Sequence, residues 1–241
     1  MIKAITHIHT SYSYDCLVTP RRIVDRLAAA GVGLALVADH DTFAGSVEAR
    51  RHAAESGAAV FIPLAAEIWT EWGDVILILD APPLPDPASL RAWSDLQAYA
   101  RSRGGLLWLP HPWSHHSHQK ELAAGADVIE VFNARSTDEE NAKAEQLCRR
   151  LGKTPGWGTD GHTLAECLAT IVEYPGTEAS LATLRSVGVC PVRRRTASSA
   201  VCLSQAVKGF RRARPGLLFG SIAMACVEWM RETCRAARRR R

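Results

Sequence analysis

The sequence has little of what marks a secreted, disulfide-built or membrane-spanning chain. Its seven cysteines, at 16, 148, 167, 190, 202, 226 and 234, are odd in number and include no C-x-x-C pair. That predicts free thiols in a reducing compartment, read here as the cytoplasm. Residues 1–16 hold no long apolar run behind a basic start, so no secretory signal is expected. Leu217 to Met230 is mostly apolar, but it is short and contains Glu228, too short to span a bilayer alone. No internal repeat is visible.

What is present is the composition of one sizeable α/β domain. The 241 residues are 47% hydrophobic and 22% charged, ordinary for a globular protein with a proper core. The net charge of +4 is unevenly placed. Thirteen of the 29 Lys and Arg lie after Val192, with only Glu228 and Glu232 against them. The split predicts a domain over 1–192 and a basic, partly helical extension over 193–241. The extension suits an interfacial helix on anionic lipid or contact with a phosphate backbone. It equally suits a helix packed on the domain or on a second subunit, with an end fraying over Arg238–Arg241.

The first fifteen residues carry the strongest local signal. His7 and His9 end an apolar run and Asp15 follows. In an extended strand residues two apart share a face, so both imidazoles would aim at one point. Two imidazoles beside a carboxylate suit a borderline-soft divalent metal. Further along, short apolar runs alternate with amphipathic stretches. Thr19-Pro20 starts a helix that stops at Gly31, and a second helix runs from about Ala44 to Ser56. Runs at 34–38, 59–66, 75–79, 106–109, 128–132 and 157–159 read as strands, with helices over about 88–103 and 139–151. The rhythm predicts parallel strands with helices outside.

Polar residues gather at the C-terminal ends of these runs: Asp39 and His40, Glu67, His111, Glu130 and Asn133, Asp160 and His162. In an α/β barrel those ends form one rim, so residues distant in sequence would meet there. Glu67 follows an apolar run where an unpaired carboxylate would be costly. Asp160 and His162 repeat the spacing of His7 and His9.

HIHTSYSYD, ADHDT, the Glu67 strand, LPHP, VIEVFNAR and GTDGH, in that order, resemble the PHP (polymerase and histidinol phosphatase) family over residues 1 to about 192. The resemblance is to its stand-alone phosphoesterases. It implies a distorted (β/α)7 TIM-like barrel holding two or three divalent ions, Mn, Zn or Fe. It implies His7, His9, Asp15, His40, Glu67, His111, Asp160 and His162 as ligands, with Glu67 bridging. It also implies hydrolysis of a small phosphate monoester, nucleotide or oligonucleotide by metal-activated water. A His or Cys frequent in the family is absent before N-A-R, where Glu130 and Asn133 stand instead, so two strong ions and one weak fit as well as three. Asp15, His162 and Arg135 are the catalytic candidates. Arg135 is read as a phosphate clamp or a solvated surface arginine. Asp39 and Asp41 would orient ligating histidines, or Asp41 would cap a helix. His115, His116 and His118 are solvated loop residues or substrate contacts.

Two other readings stay open. One is an amidohydrolase, which also opens with H-x-H. The other is a non-catalytic, metal-stabilised module whose basic tail binds nucleic acid or membrane. The sequence is silent on substrate identity and oligomeric state.

Overall fold

The computed structural model describes residues 1–239, with side chains through residue 235. β1 (Ile2–Ile8) pairs in parallel with β2 (Leu34–Val37) across helix α1 (Pro20–Ala29). Pro20 starts α1 as expected, because its missing N–H is not needed there. β3 (Asp39–His40) follows, then α2 (Ala44–Ser56), which ends at left-handed Gly57. β4 (Leu64–Thr70) and β5 (Gly73–Leu79) form an antiparallel hairpin. β6 (Leu106–Leu109) is reached through a 3-10 turn and α3 (Trp93–Ser102). α4 (Gln119–Gly125), β7 (Val128–Asn133), α5 (Asp138–Leu151) and β8 (Thr154–Gly158) continue the alternation. β9 (Thr170–Tyr174) returns antiparallel beside β1, and β10 (Val189–Arg193) pairs antiparallel with β9 on its outer side. α6 (Ser198–Arg211) and α7 (Pro215–Arg239) close the chain.

The strands form a four-stranded sheet, β10-β9-β1-β2, and a six-stranded sheet, β3-β4-β5-β6-β7-β8. Two seams join them. At one, Thr159 donates its N–H to the Thr6 carbonyl and His9 to Gly161, both at 2.9 Å. At the other, Ala35 donates to the Phe61 carbonyl at 2.9 Å. The fold is thus mixed α/β rather than uniformly parallel. Only Glu71 and Trp72 separate β4 from β5, which leaves no room for a crossover helix and forces the antiparallel pairing.

β2, β5 and β6 are buried on both faces, each large apolar side chain contributing roughly 1.5–3 kcal/mol. The strand expected over 59–66 begins at Leu64 instead, after Pro63, so Glu67 lies inside β4. The helix expected over 88–103 is split by the turn at Pro87–Leu90. The α5 start carries a reciprocal cap, Thr137 with Glu140, worth ~1 kcal/mol.

α6 and α7 form an antiparallel helical hairpin. Ser199 bonds Glu232 near one end, and at the other a Cβ on Gly209 would collide with the Leu218 backbone. Arg238 and Arg239 are still helical; Arg240 and Arg241, the rest of the end expected to fray, lie outside the described residues. Among the described residues, no helix is long and apolar enough to cross a membrane.

Candidate metal centre

His7 does not sit in a regular strand. A bulge shifts the β1–β2 register between Ile5 and Ile8, and His7 has φ 60°. The expected convergence of His7 and His9 is nevertheless present: their Nε2 atoms are 3.2 Å apart. His111 (φ 26°) and Asp160 (φ 48°) are also in the left-handed region. Such backbone costs of order 1–3 kcal/mol per residue and concentrates where side chains must be aimed.

Around this pair the chain gathers the other residues implied by the resemblance. Glu67, from the middle of β4, lies 3.5 Å from His7 and from His9, 3.0 Å from His40 Nδ1 and 3.0 Å from His111 Nε2. Asp160 lies 3.4 Å from His9. Asp15 lies 3.4 Å from His40 and 3.2 Å from His162. Three-residue groups with ligand atoms mutually within 4.8 Å are His9/His40/His162, His7/His111/Asp160, His7/His9/Glu67 and His40/Glu67/Asp74. All eight expected residues therefore meet, and Glu67 joins two of the groups.

The outer nitrogens explain why the inner ones are free. His7 Nδ1 faces Glu130 at 3.1 Å, and His162 Nδ1 faces the Asp160 carbonyl at 2.9 Å. Both partners only accept, so each ring keeps its proton outside and turns Nε2 inward. His9 Nδ1 meets Ser13 Oγ at 3.1 Å, and Ser13 spends its own proton on Asp39 at 2.6 Å. Asp39 thus acts through Ser13, and it also takes the N–H and O–H of Thr10. Gly45 has to be a glycine there, because a Cβ would overlap the Asp39 carboxylate. Asp41 touches no imidazole; it accepts from Trp69 N–H and pairs with Arg91 at 2.7 Å.

Glu130 is the busiest of these anchors. Besides His7 it accepts from His111 N–H, Asn133 Nδ2 and Trp108 Nε1. A Cβ on Gly158 would occupy its place. Glu130 therefore stands behind the histidines, while Asn133, bonded to it, reaches the cavity wall beside Asp160.

Burial opposes charge on His7, His40 and His111, but the neighbouring carboxylates outweigh it and hold all three above the ordinary histidine value, His111 at about 9. His9 goes the other way, to about 3, through burial and the charges of His162 and His40. Burial would raise Asp15, yet His162 and His40 hold it well below the usual carboxylate range. Asp74 is raised to about 7 by burial and by Glu67. It was not singled out from the sequence, although a lone carboxylate opening the apolar strand GDVILIL carries the same signal as Glu67.

The donor set fits divalent cations. Asp15 Oδ1, Glu67 Oε2, His111 Nδ1 and His162 Nε2 are buried with no hydrogen-bond partner among the described residues. Orphans of this kind cost about 1–3 kcal/mol each unless something binds them. The cluster opens into a cavity of about 400 Å³ whose walls include Tyr14, Trp69, His115, Arg135 and Lys208. Arg135 is not a solvated surface residue. Its terminal nitrogens are engaged by Glu166 and Ser204, both at 2.9 Å, leaving Nε unpartnered. Of the loop histidines only His115 lines the cavity. His116 is wedged between the Ser114 and Asp74 carbonyls, and His118 stacks on Trp72.

No family model matches the chain. An uncharacterized protein of Methanocaldococcus jannaschii is 29% identical over 150 residues, 57% of this chain and 85% of that one. A two-domain protein of Bacteroides vulgatus, described as containing a predicted PHP-like metal-dependent phosphoesterase, superposes with TM-score 0.64 and 18% identity over 80% of this chain. The chain spans 65% of that protein's length. PsfC of Pseudomonas syringae gives TM-score 0.59 and 17% identity, covering 88% of this chain and 98% of PsfC. An amidohydrolase of Chromobacterium violaceum gives 0.56 and 18%, covering 78% and 98%. The chain shares an α/β fold with these proteins, at identities that speak for the fold alone.

Proposed function

We propose that the protein is a metal-dependent phosphoesterase of the PHP type. In this reading the two sheets and their seams are an irregular barrel, and the cavity is its mouth. The carrying observation is the crowding of imidazoles and carboxylates around Glu67, with Asp15 Oδ1, Glu67 Oε2, His111 Nδ1 and His162 Nε2 buried and unpartnered. His7, His9, His111 and Asp160 would hold one ion, and His40, His162 and Asp15 would hold its neighbour. Glu67 would lie between them, and Asp74 is a further donor beside His40. When bound, two divalent ions lower the pKa of a water and draw charge from phosphoryl oxygens.

The chain's own part is to aim and to exclude. Glu130, Ser13 and the Asp160 carbonyl fix the tautomers of His7, His9 and His162. Asp15 and His162, 3.2 Å apart at the cavity wall, would act through the ion they hold, because a ligating carboxylate and imidazole must be deprotonated there. Arg135, held by Glu166 and Ser204 at the cavity wall, would turn a remaining terminal N–H toward a phosphoryl oxygen, its Nε being buried.

The test is a screen of the purified protein with Mn²⁺, Zn²⁺ or Fe²⁺ against aryl phosphates and an amide panel. Phosphate release that needs metal and is lost in Asp160→Ala is the expected result. Hydrolysis confined to amides would favour the amidohydrolase reading. Metal binding with no turnover of either panel would favour the non-catalytic module.

A further inference from the structure

The basic extension does not hang free of the site. Thr196 N–H bonds the Ala134 carbonyl at 2.7 Å, which brings the chain across the end of β7. Arg135 reaches Ser204 on α6. Arg211 Nη1 bonds the carbonyls of Ser11 and Ser13, at 2.8 and 2.7 Å, in the loop that supports His9. Tyr14 lies flat on His40, ring centres 4.6 Å apart, with the Arg212 guanidinium 3.9 Å and the Lys208 ammonium 5.0 Å from its own centre. α6 is therefore fastened to the residues that shape the cavity, and Val201, Gln205 and Lys208 form part of its wall.

The charges on that wall are unevenly spent. Arg135 is held by Glu166 and Ser204. Glu140, also on the wall, turns its carboxylate onto Thr137. Asp15 and Asp160 face the imidazoles. Among the described residues, no carboxylate lies within ion-pair reach of Lys208; its recorded contact is the Tyr14 ring. A half-buried ammonium beside a polar cavity, without a counter-ion, is poised for an anion. The ammonium rests on Tyr14, the ring that stacks on His40, and pairs with neither Asp15 nor Asp160 of the histidine cluster.

We propose that α6 is a wall of the active site and that Lys208 binds a second anionic group of the substrate, set apart from the reacting phosphoester. This rests on the phosphoesterase reading. Under it the boundary after Val192 divides the sequence but not the site, and Lys208 selects substrates with two acidic groups over simple monoesters.

The test compares three-carbon phosphonates on metal-loaded protein by calorimetry: propylphosphonate, 3-phosphonopropionate and propane-1,3-bisphosphonate. Wild type should bind the two-acid probes about tenfold tighter than the one-acid probe, the scale of one charge-assisted hydrogen bond. Lys208→Met should erase most of that ratio and Lys208→Arg should keep it. Loss for the carboxylate probe alone, or for the bisphosphonate alone, identifies which acid the ammonium accepts. A ratio near one in wild type, or one unmoved in Lys208→Met, would overturn the proposal. Turnover of propyl phosphate and 3-phosphooxypropanoate is followed in parallel. If neither is hydrolysed while the binding ratio still falls in Lys208→Met, the anion contact stands and the phosphoesterase reading fails. If both are hydrolysed and the ratio does not move, only the role given to α6 fails.

Discussion

The Nε2 atoms of His7 and His9 face each other across 3.2 Å, each ring anchored from behind, His7 by Glu130 and His9 by Ser13. Two neutral rings so placed would press lone pair on lone pair. Something positive has to lie between them. In the metal-free protein it is a proton on His7, raised by its carboxylate neighbours, donated to a His9 that stays neutral. A divalent ion would take that proton's place.

Metal binding should therefore release protons. Calorimetric titration with Mn²⁺ or Zn²⁺ at pH 7, in buffers of different ionisation enthalpy, should show a net release of about one proton or more per chain. Heats that do not depend on the buffer would contradict this arrangement.

Glu130 touches no inward-facing atom, yet it fixes the His7 ring. Glu130→Gln should weaken metal binding by about 10- to 100-fold. Gly158→Ala should do much the same from the neighbouring strand, because its Cβ would displace the Glu130 carboxylate. Competition with a chromogenic chelator measures both. Wild-type affinity in Gly158→Ala would mean that Glu130 has no such role.

The metal-free protein should lose stability as pH rises from 6 to 9. Asp74 keeps its proton in the fold up to about 7, far above its ordinary value, so between the two the folded state binds more protons than the unfolded chain, and the last of that contribution is lost as pH rises through 7. His111, held up at about 9 by Glu67, is charged and stabilising below its ordinary value, and that contribution is lost as pH approaches 9. Thermal melts of chelated protein should fall by several degrees over the interval, and Asp74→Asn should flatten the lower part. A melting temperature that rises with pH would reverse the assigned signs.

The thiols should divide sharply. Burial pushes Cys16 and Cys167 up to about 12 and Cys148 up to about 11, so all three remain neutral and unreactive at pH 8. Cys226 and Cys234 are exposed on α7. Alkylation followed by mass spectrometry should mark that pair first in native protein. Labelling of Cys167 at the same rate would show that the core opens far more readily than its burial implies.

Much of the site was legible because most of its inward residues close an apolar run. His40, His111 and His162 stand out against such neighbours, and Glu67 more so. Asp74 was missed because it opens its strand instead of ending it, across a hairpin that the alternating rhythm did not foretell. The supporting layer was harder to read. Ser13 and Glu130 look like loop and strand polarity until the fold sets them behind an imidazole. The place of α6 depends on Arg135, Arg211 and Arg212 meeting residues far away in sequence, and no local pattern announces such meetings. His7 shows the opposite case: the two-residue spacing predicted the right convergence for a regular strand, whereas the chain achieves it with a bulge.

The most direct test joins metal content to turnover. Chelated protein is titrated with Mn²⁺ or Zn²⁺, bound metal is counted by mass spectrometry, and phosphate release from an aryl phosphate is followed at each step. The account predicts binding of about two ions per chain, with release appearing as the second ion binds and lost in Glu67→Gln. Full phosphate release from the chelated protein, or metal bound at the same stoichiometry in Glu67→Gln with release undiminished, would contradict it.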